Sequence, residues 1–206
     1  MIDRETGYRI AKRIFDVAVS GAGLIITSPL MLGIAASIKH EDGGPVFYTS
    51  KRIGTNREIV NLYKFRSMYV DADKHLEELR SENDFEDGPR FKMRNDPRVT
   101  KTGKILRKFS LDELPQLFNV LKGNISIIGP RPHSVYEVEK YDERAMERFN
   151  VKAGILCYSE VSGRSDLPFN ESIDLDLKYV SERSIATDVK IMFMAVKAIL
   201  RKEGAR

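Results

Sequence analysis

The sequence predicts an α+β fold, a mostly helical compact domain with a short β-hairpin, entered through an N-terminal apolar helix broken at a Ser-Pro pair. Three observations carry this reading. Val17 to Ile38 is a run of 22 residues without a charged side chain. Two β-like runs, PVFYTS from Pro45 and EIVNLYKF from Glu58, flank a turn at Gly54-Thr55-Asn56. Most of the other patterned segments repeat at helical spacing. With 206 residues, 42% hydrophobic and 31% charged, the chain can build one core and is neither disordered nor fibrous.

The apolar run exceeds the length at which a membrane helix becomes the default reading, and it is too long for the core of a signal peptide. Ser28-Pro29 lies at its middle, where proline removes an intrahelical hydrogen bond. Arg9, Lys12 and Arg13 precede the run and Lys39 follows it. Basic residues at both ends suit a bent helix that enters and leaves by one face, although kinked spanning helices carry such flanks too. Asp16 is expected at the interface rather than in lipid. Residues 1–40 are therefore read as a membrane helix, and 41–206 as one domain joined to it as a single structural unit.

In the hairpin, alternation puts Lys64 and Arg66 on one strand face, where they either clamp a diphosphate or line a solvated edge. Residues 70–82 read as a polar surface helix, 84–103 as an ordered loop, and 134–149 as a charged helix. From Asp188 onward, Val189, Met192, Phe193, Val196, Ile199 and Leu200 fall at helical spacing, which fits a core-packing helix or one lying on anionic lipid.

The excess of 34 basic over 30 acidic residues leaves a net charge of +4, a mild preference for acidic partners. Aromatic-basic interleaving is missing, so nucleic acid is not expected as a partner. Cys157, the single cysteine, excludes an internal disulfide, and His40, His75 and His133 show no metal-ligand spacing.

The chemistry concentrates in LRKFSLDELPQLFNVLKGNISIIGPRP, Leu106 to Pro132. Asp112 and Glu113 are adjacent carboxylates among Arg107, Lys108 and Arg131. One reading makes Ser110-Leu111-Asp112-Glu113 a capping box with Phe109 and Leu114 as its staple. Pro115 opposes it, because proline would then fall at the fifth helical position. A helix starting nearer Asp112 sets the carboxylate beside free N–H groups that suit phosphate. There Asp112 could attack phosphorus, and Glu113 could help hold Mg²⁺.

KFRSM (64–68), NDPRVTKTGKILRKFSLDELPQLFNVLKGNISIIGPRP (95–132), VSGRSDL (161–167) and LDLKYV (175–180) together resemble the bacterial sugar transferases, the monotopic phosphoglycosyl transferases. The resemblance covers essentially the whole chain. It implies an enzyme of the bacterial inner membrane, with its catalytic domain on the cytoplasmic face, moving a sugar-1-phosphate from a UDP-sugar to undecaprenyl phosphate. That step would initiate surface polysaccharide or glycoconjugate synthesis. On this resemblance Asp112 is the nucleophile on the β-phosphorus, UMP leaves, and the acceptor phosphate resolves the covalent intermediate by ping-pong kinetics. Glu113 is tied to Mg²⁺, with Asp112 beside it. Lys64, Arg66, Arg107, Arg131, Arg164 and Asp176 are the expected substrate contacts, Asp176 alternatively as support for one of the arginines. Ser28 and Pro29 match the break of a re-entrant membrane helix, with Lys12 and Arg13 at its interface. A homodimer is compatible with this picture. Ala153 to Glu160 departs from the family's PGITGLWQ, so sugar or nucleotide contacts can differ there. A catalytically silent membrane-anchored scaffold subunit is the alternative reading.

Overall fold

The computed structural model describes residues 3–75, 79, 93, 95–162 and 167–200. Helix α1 (Arg4–Asp42) starts at Asp3, whose carboxylate accepts from the Glu5 and Thr6 N–H groups at 2.8 and 3.0 Å, and stops at Gly43 in the left-handed region. It runs on through Ser28 and Pro29 where two half-helices are expected. Proline deprives the Ile25 carbonyl of its usual donor, and the Ser28 hydroxyl donates to that carbonyl instead, at 2.8 Å.

One face of α1 packs on the body toward each of its ends. Near its start the body takes up Asp16 and Ser20, and near its end Ile34 and Ile38. Asp16 is buried rather than interfacial: it accepts from the Ser126 hydroxyl and the Ile127 N–H at 2.9 and 3.0 Å. On the other face Ile25 and Ile26 are each 76% exposed and Leu32 73%. The helix is long and apolar enough to cross a membrane.

Strands β1 (Phe47–Ile53) and β2 (Ile59–Phe65) pair antiparallel from Phe47↔Phe65 to Ile53↔Ile59, as expected. The expected polar helix after residue 70 is described only as a short 3-10 turn, Ala72–His75, and most of the rest lies outside the described residues. Of the loop expected over 84–103, residues 84–92 and 94 also lie outside, and helix α2 (Lys101–Lys108) already begins within its end. Helix α3 (Gln116–Lys122) follows the 3-10 turn Leu111–Glu113.

A second sheet was not legible in the sequence. Strands β3 (Ser126–Ile128) and β4 (Gly154–Leu156) pair in parallel. Each is too short to show an alternation. Gly129 and Gly154 allow the approach, since a Cβ on Gly154 would lie 2.0 Å from the Gly129 nitrogen. The charged segment after Ser134 is three pieces rather than one helix: α4 (Val135–Val138), α5 (Glu143–Met146) and a 3-10 turn, Glu147–Asn150. Asp142 restarts it by accepting from the Ala145 N–H at 2.8 Å.

After α6 (Tyr158–Ser162) and α7 (Phe169–Glu182), helix α8 (Ile185–Leu200) closes the described chain. Its buried face is Asp188, Ile191, Ala195 and Ala198, and Phe193 and Val196 are exposed. The rotation departs from the apolar stripe because Asp188 is pulled inward by Lys12 at 2.9 Å and the Tyr179 hydroxyl at 2.8 Å. The main core joins Leu62, Val120, Ile125, Ile127, Ile128, Tyr179 and Ile191.

Candidate active site

The Asp112 turn is held against β2 by a side chain that acts as a piece of strand. Buried Asn119 of α3 accepts from the Tyr63 N–H at 2.9 Å and donates to the Asn61 carbonyl at 2.8 Å. This sets the residues just before α3 beside Lys64. Ser110 takes left-handed backbone, φ 54°, and its side chain makes no cap hydrogen bond, so the capping box does not form. Phe109 is exposed while Leu114 joins the cluster under the end of α1, so no staple forms either. Pro115 stands immediately before α3, where its missing N–H costs nothing.

Lys64 Nζ lies 2.8 Å from Glu113 Oε1 and 3.9 Å from Asp112 Oδ2. Arg131 reaches Glu113 Oε1 at 3.9 Å and is ion-paired with Glu160. Arg107 donates to the Ser67 hydroxyl at 2.9 Å. That approach needs Gly103 one turn earlier, because a Cβ there would sit 1.9 Å from the Ser67 carbonyl oxygen. Asp112 lines a cleft of about 300 Å³ with Lys64, Arg107 and the β1 face Tyr48, Ser50 and Arg52.

The environments of the two carboxylates push their pKa values in opposite directions. Burial raises the Asp112 carboxyl above its ordinary value and Glu113 adds to the rise, against the pull of Lys64 and Arg107. Glu113 is also opposed by burial, but Lys64 and Arg131 overcome it and hold the acid down at about 2. Adjacent carboxylates whose pKa values are pushed apart suit divided roles. As donors for Mg²⁺ the pair fits: this ion takes one or two carboxylates and fills its other positions with substrate phosphate and water. Among the described residues no cluster of three metal-ligating side chains adds to them.

The other expected site residues are distributed differently. Arg66 borders the cleft but is committed to Asp42 by a two-point ion pair and to the Pro45 carbonyl at 2.5 Å, so it fastens the end of α1. Asp176 is buried away from the cleft and paired with Arg148. It supports an arginine, though not one of those expected. Lys12 binds Asp188, and Arg13 donates to the Val120 and Leu121 carbonyls at 2.7 and 2.6 Å, capping α3. Ser28 and Pro29 sit mid-way along α1, and Arg164 lies outside the described residues. Arg52 and Glu160 were missed. Arg52 was within reach of the period-2 rule, on one face with Tyr48 and Ser50, whereas nothing local marks Glu160.

The profile of the bacterial sugar transferases matches residues 7–202. The chain belongs to the bacterial sugar transferase family. It is 41% identical over 198 residues to the galactosyl transferase CpsE of Streptococcus agalactiae, covering 96% of this chain and 44% of that protein. It is 40% identical over 200 residues to the undecaprenyl-phosphate galactose phosphotransferase of Salmonella typhimurium, 96% of this chain and 42% of the relative. With the exopolysaccharide production protein ExoY of Rhizobium meliloti it shares 40% identity over 199 residues, 95% and 88% of the two chains. The chain thus spans less than half the length of the first two relatives. In this member of the family the segment Ala153–Glu160 buries Cys157, whose thiol is pushed up to about 12, chiefly by burial, and brings Glu160 to Arg131. That thiol is a packing group, not a nucleophile.

Proposed function

We propose that the chain transfers a sugar-1-phosphate from a UDP-sugar to undecaprenyl phosphate through a covalent Asp112 intermediate, at the cytoplasmic face of the bacterial inner membrane. The observation that carries the reading is the buried Asp112 carboxylate on a cation-lined cleft, beside a Glu113 that Lys64 and Arg131 hold ionised. An Asp112 oxygen attacks the β-phosphorus. The bond from that phosphorus to the bridging oxygen breaks, and UMP leaves with the electron pair. An oxygen of the polyprenyl phosphate then attacks the same phosphorus and Asp112 departs as free carboxylate. Lys64 and Arg107 neutralise charge on the transferred phosphate, with Arg131 beside them through Glu113. Mg²⁺ held by Glu113 and Asp112 would add charge neutralisation at the diphosphate.

Both ends of α1 are tied to the same body, through Lys12 to Asp188 and through Asp42 to Arg66. Such a helix enters and leaves a bilayer by one face, with Ile25, Ile26 and Leu32 in the near leaflet and the bond-deficient Ser28-Pro29 turn at its deepest point. This supports a re-entrant insertion, and it brings the cleft to an acceptor phosphate at the surface.

The test is incubation of the protein with Mg²⁺ and a panel of UDP-sugars without acceptor. One UMP per chain and a sugar-phosphate mass adduct on the Asp112 peptide are expected. Product formation with acceptor but no adduct under any donor would overturn the covalent mechanism. The silent-scaffold reading rests on Glu160 occupying Arg131, and it predicts neither adduct nor product.

Two further outcomes follow from the electrostatics. Asp112 attacks only as carboxylate, so the acidic limb of the UMP burst rate should lie above the ordinary aspartate value of about 3.9. Lys64→Met removes the largest opposing influence and should move that limb to higher pH. Glu160 competes with substrate anions for Arg131, and the pair is partly exposed. Glu160→Gln should therefore lower the donor KM by roughly two- to fivefold, equal to about 0.5–1 kcal/mol.

A further inference from the structure

The Asp112 cleft is built on the second half of α1. Ile34 and Ile38 form one buried cluster with Phe65 and Leu106, and Leu111 and Leu114 pack against it. Phe65 follows Lys64, Leu106 precedes Arg107, and Leu111 and Leu114 flank Asp112 and Glu113. Each of these four polar side chains is thus one residue from an apolar anchor on the same half-helix. Close-packed anchors of this kind transmit a displacement instead of absorbing it.

Helix α2 carries Arg107 in its last turn, and its first turn is tied to α1 by a polar contact. The start of a helix leaves four N–H groups without intrahelical partners. The Thr100 N–H donates to the Ser67 carbonyl at 3.1 Å, and the Gly103 N–H to the Thr100 hydroxyl at 2.9 Å. The other two, from Lys101 and Thr102, donate to the two carboxylate oxygens of Glu41 at 2.7 and 3.1 Å. Glu41 belongs to the last turn of α1. Burial opposes its charge, but the bonds from Thr102 and Lys101 prevail and hold the carboxyl below its ordinary value. The positive end of the helix favours the same charge. As a rod of eight residues, α2 is about 12 Å long. It is fixed to α1 near both ends, by Glu41 at its first turn and by Leu106 near its last. Ser67 stands between as a pivot, pressed against Gly103 and accepting from Arg107 Nε at 2.9 Å. A shift of the first turn about this pivot is carried to Arg107 at the cleft.

We propose that Glu41 is a positioning residue for the Asp112 cleft: by holding the first turn of α2 on the end of α1, it sets the place of Arg107 at the diphosphate. The role rests on the reading of that cleft as a UDP-sugar site. It makes the apolar helix part of the site's framework, because the same helix end that holds Arg66 through Asp42 also holds α2 through Glu41.

The experiment measures UDP affinity by calorimetry with Mg²⁺, and the acceptor-free UMP burst rate at low donor concentration, on the full chain and three variants: Glu41→Gln, Arg107→Gln and the two combined. Arg107→Gln is expected to weaken UDP roughly tenfold or more. Glu41→Gln should weaken it about fivefold, and the double variant no more than Arg107→Gln alone, because Glu41 acts through Arg107. Additive losses in the double variant, or unchanged affinity in Glu41→Gln, would overturn the proposal. Loss of a contact at a helix start also lowers stability, so Glu41→Asp is measured in parallel. It keeps the charge at the helix end with one methylene less reach. Positioning predicts a Tm near that of the unmodified chain with UDP affinity still reduced. Recovery of both would mean a purely structural role and overturn the proposal. Failure of the underlying reading is separate. A chain that shows the coupled UDP pattern but releases no UMP overturns the covalent mechanism and leaves the role of Glu41 standing, whereas a chain without UDP affinity overturns both.

Discussion

Asp112→Asn is expected to abolish both UMP release and product formation, a loss of about 10⁴-fold or more, because it removes the proposed nucleophile. The amide keeps the size of the carboxylate and cannot form the mixed anhydride. The same substitution should leave stability unchanged or raise it. Burial and Glu113 make the ionised Asp112 unfavourable in the folded state, so a neutral side chain relieves a cost. Thermal melts and the acceptor-free burst on one preparation check both halves. An Asp112→Asn protein with retained turnover would move the nucleophile elsewhere, and an inactive one with a much lower Tm would make the loss structural.

Arg148→Ala is expected to be the most damaging single change to the fold outside the site. Arg148 and Asp176 are ion-paired with both side chains fully buried. Arg148 also donates to the Tyr141 hydroxyl at 2.6 Å and to the Arg131 carbonyl at 2.5 Å. Removing the cation strands a buried carboxylate, at about 3–5 kcal/mol, from a total of about 5–15 for a typical domain. Even with its partner present, burial pushes Asp176 up to about 6. An acid with a raised folded pKa gives stability at low pH that is lost as pH rises from the unfolded value toward the folded one. The defect of Arg148→Ala should therefore be smaller at pH 5, where Asp176 takes up a proton, than at pH 7. Urea unfolding at the two pH values measures this, and an equal loss at both would show that the missing packing, not the stranded charge, sets the cost. Replacing both partners by apolar residues should cost less than Arg148→Ala alone. Because Arg148 holds the Arg131 carbonyl, surviving Arg148→Ala protein should also show a raised donor KM.

The two sheets show how far local pattern reaches. Strands β1 and β2 are seven residues each, long enough for alternation and joined by a turn with its own residue preferences. Strands β3 and β4 are three residues each, far apart in sequence, and held by glycine contacts that no periodicity marks. The Asp112–Glu113 pair was legible because its members are adjacent and Pro115 argues against the capping reading. Asn119, which docks that pair beside Lys64, looks like any polar residue on a helix until its amide is found pairing with β2. In α8 the apolar stripe pointed to one rotation, and the ion pair of Asp188 with Lys12 selected another.

The sequence by itself determined the apolar N-terminal helix, the hairpin and the acidic pair, because each is written in neighbouring residues through length, alternation or adjacency. Only the tertiary structure decided what the cations do. Lys64 and Arg107 face the Asp112 cleft, Arg66 fastens α1, Arg13 caps α3, and Arg9 and Lys152 open onto a second cleft. In sequence these are all basic residues of similar surroundings. Their roles diverge because a charge acts through its distance to other charges and to solvent, and folding sets those distances between residues far apart in the chain.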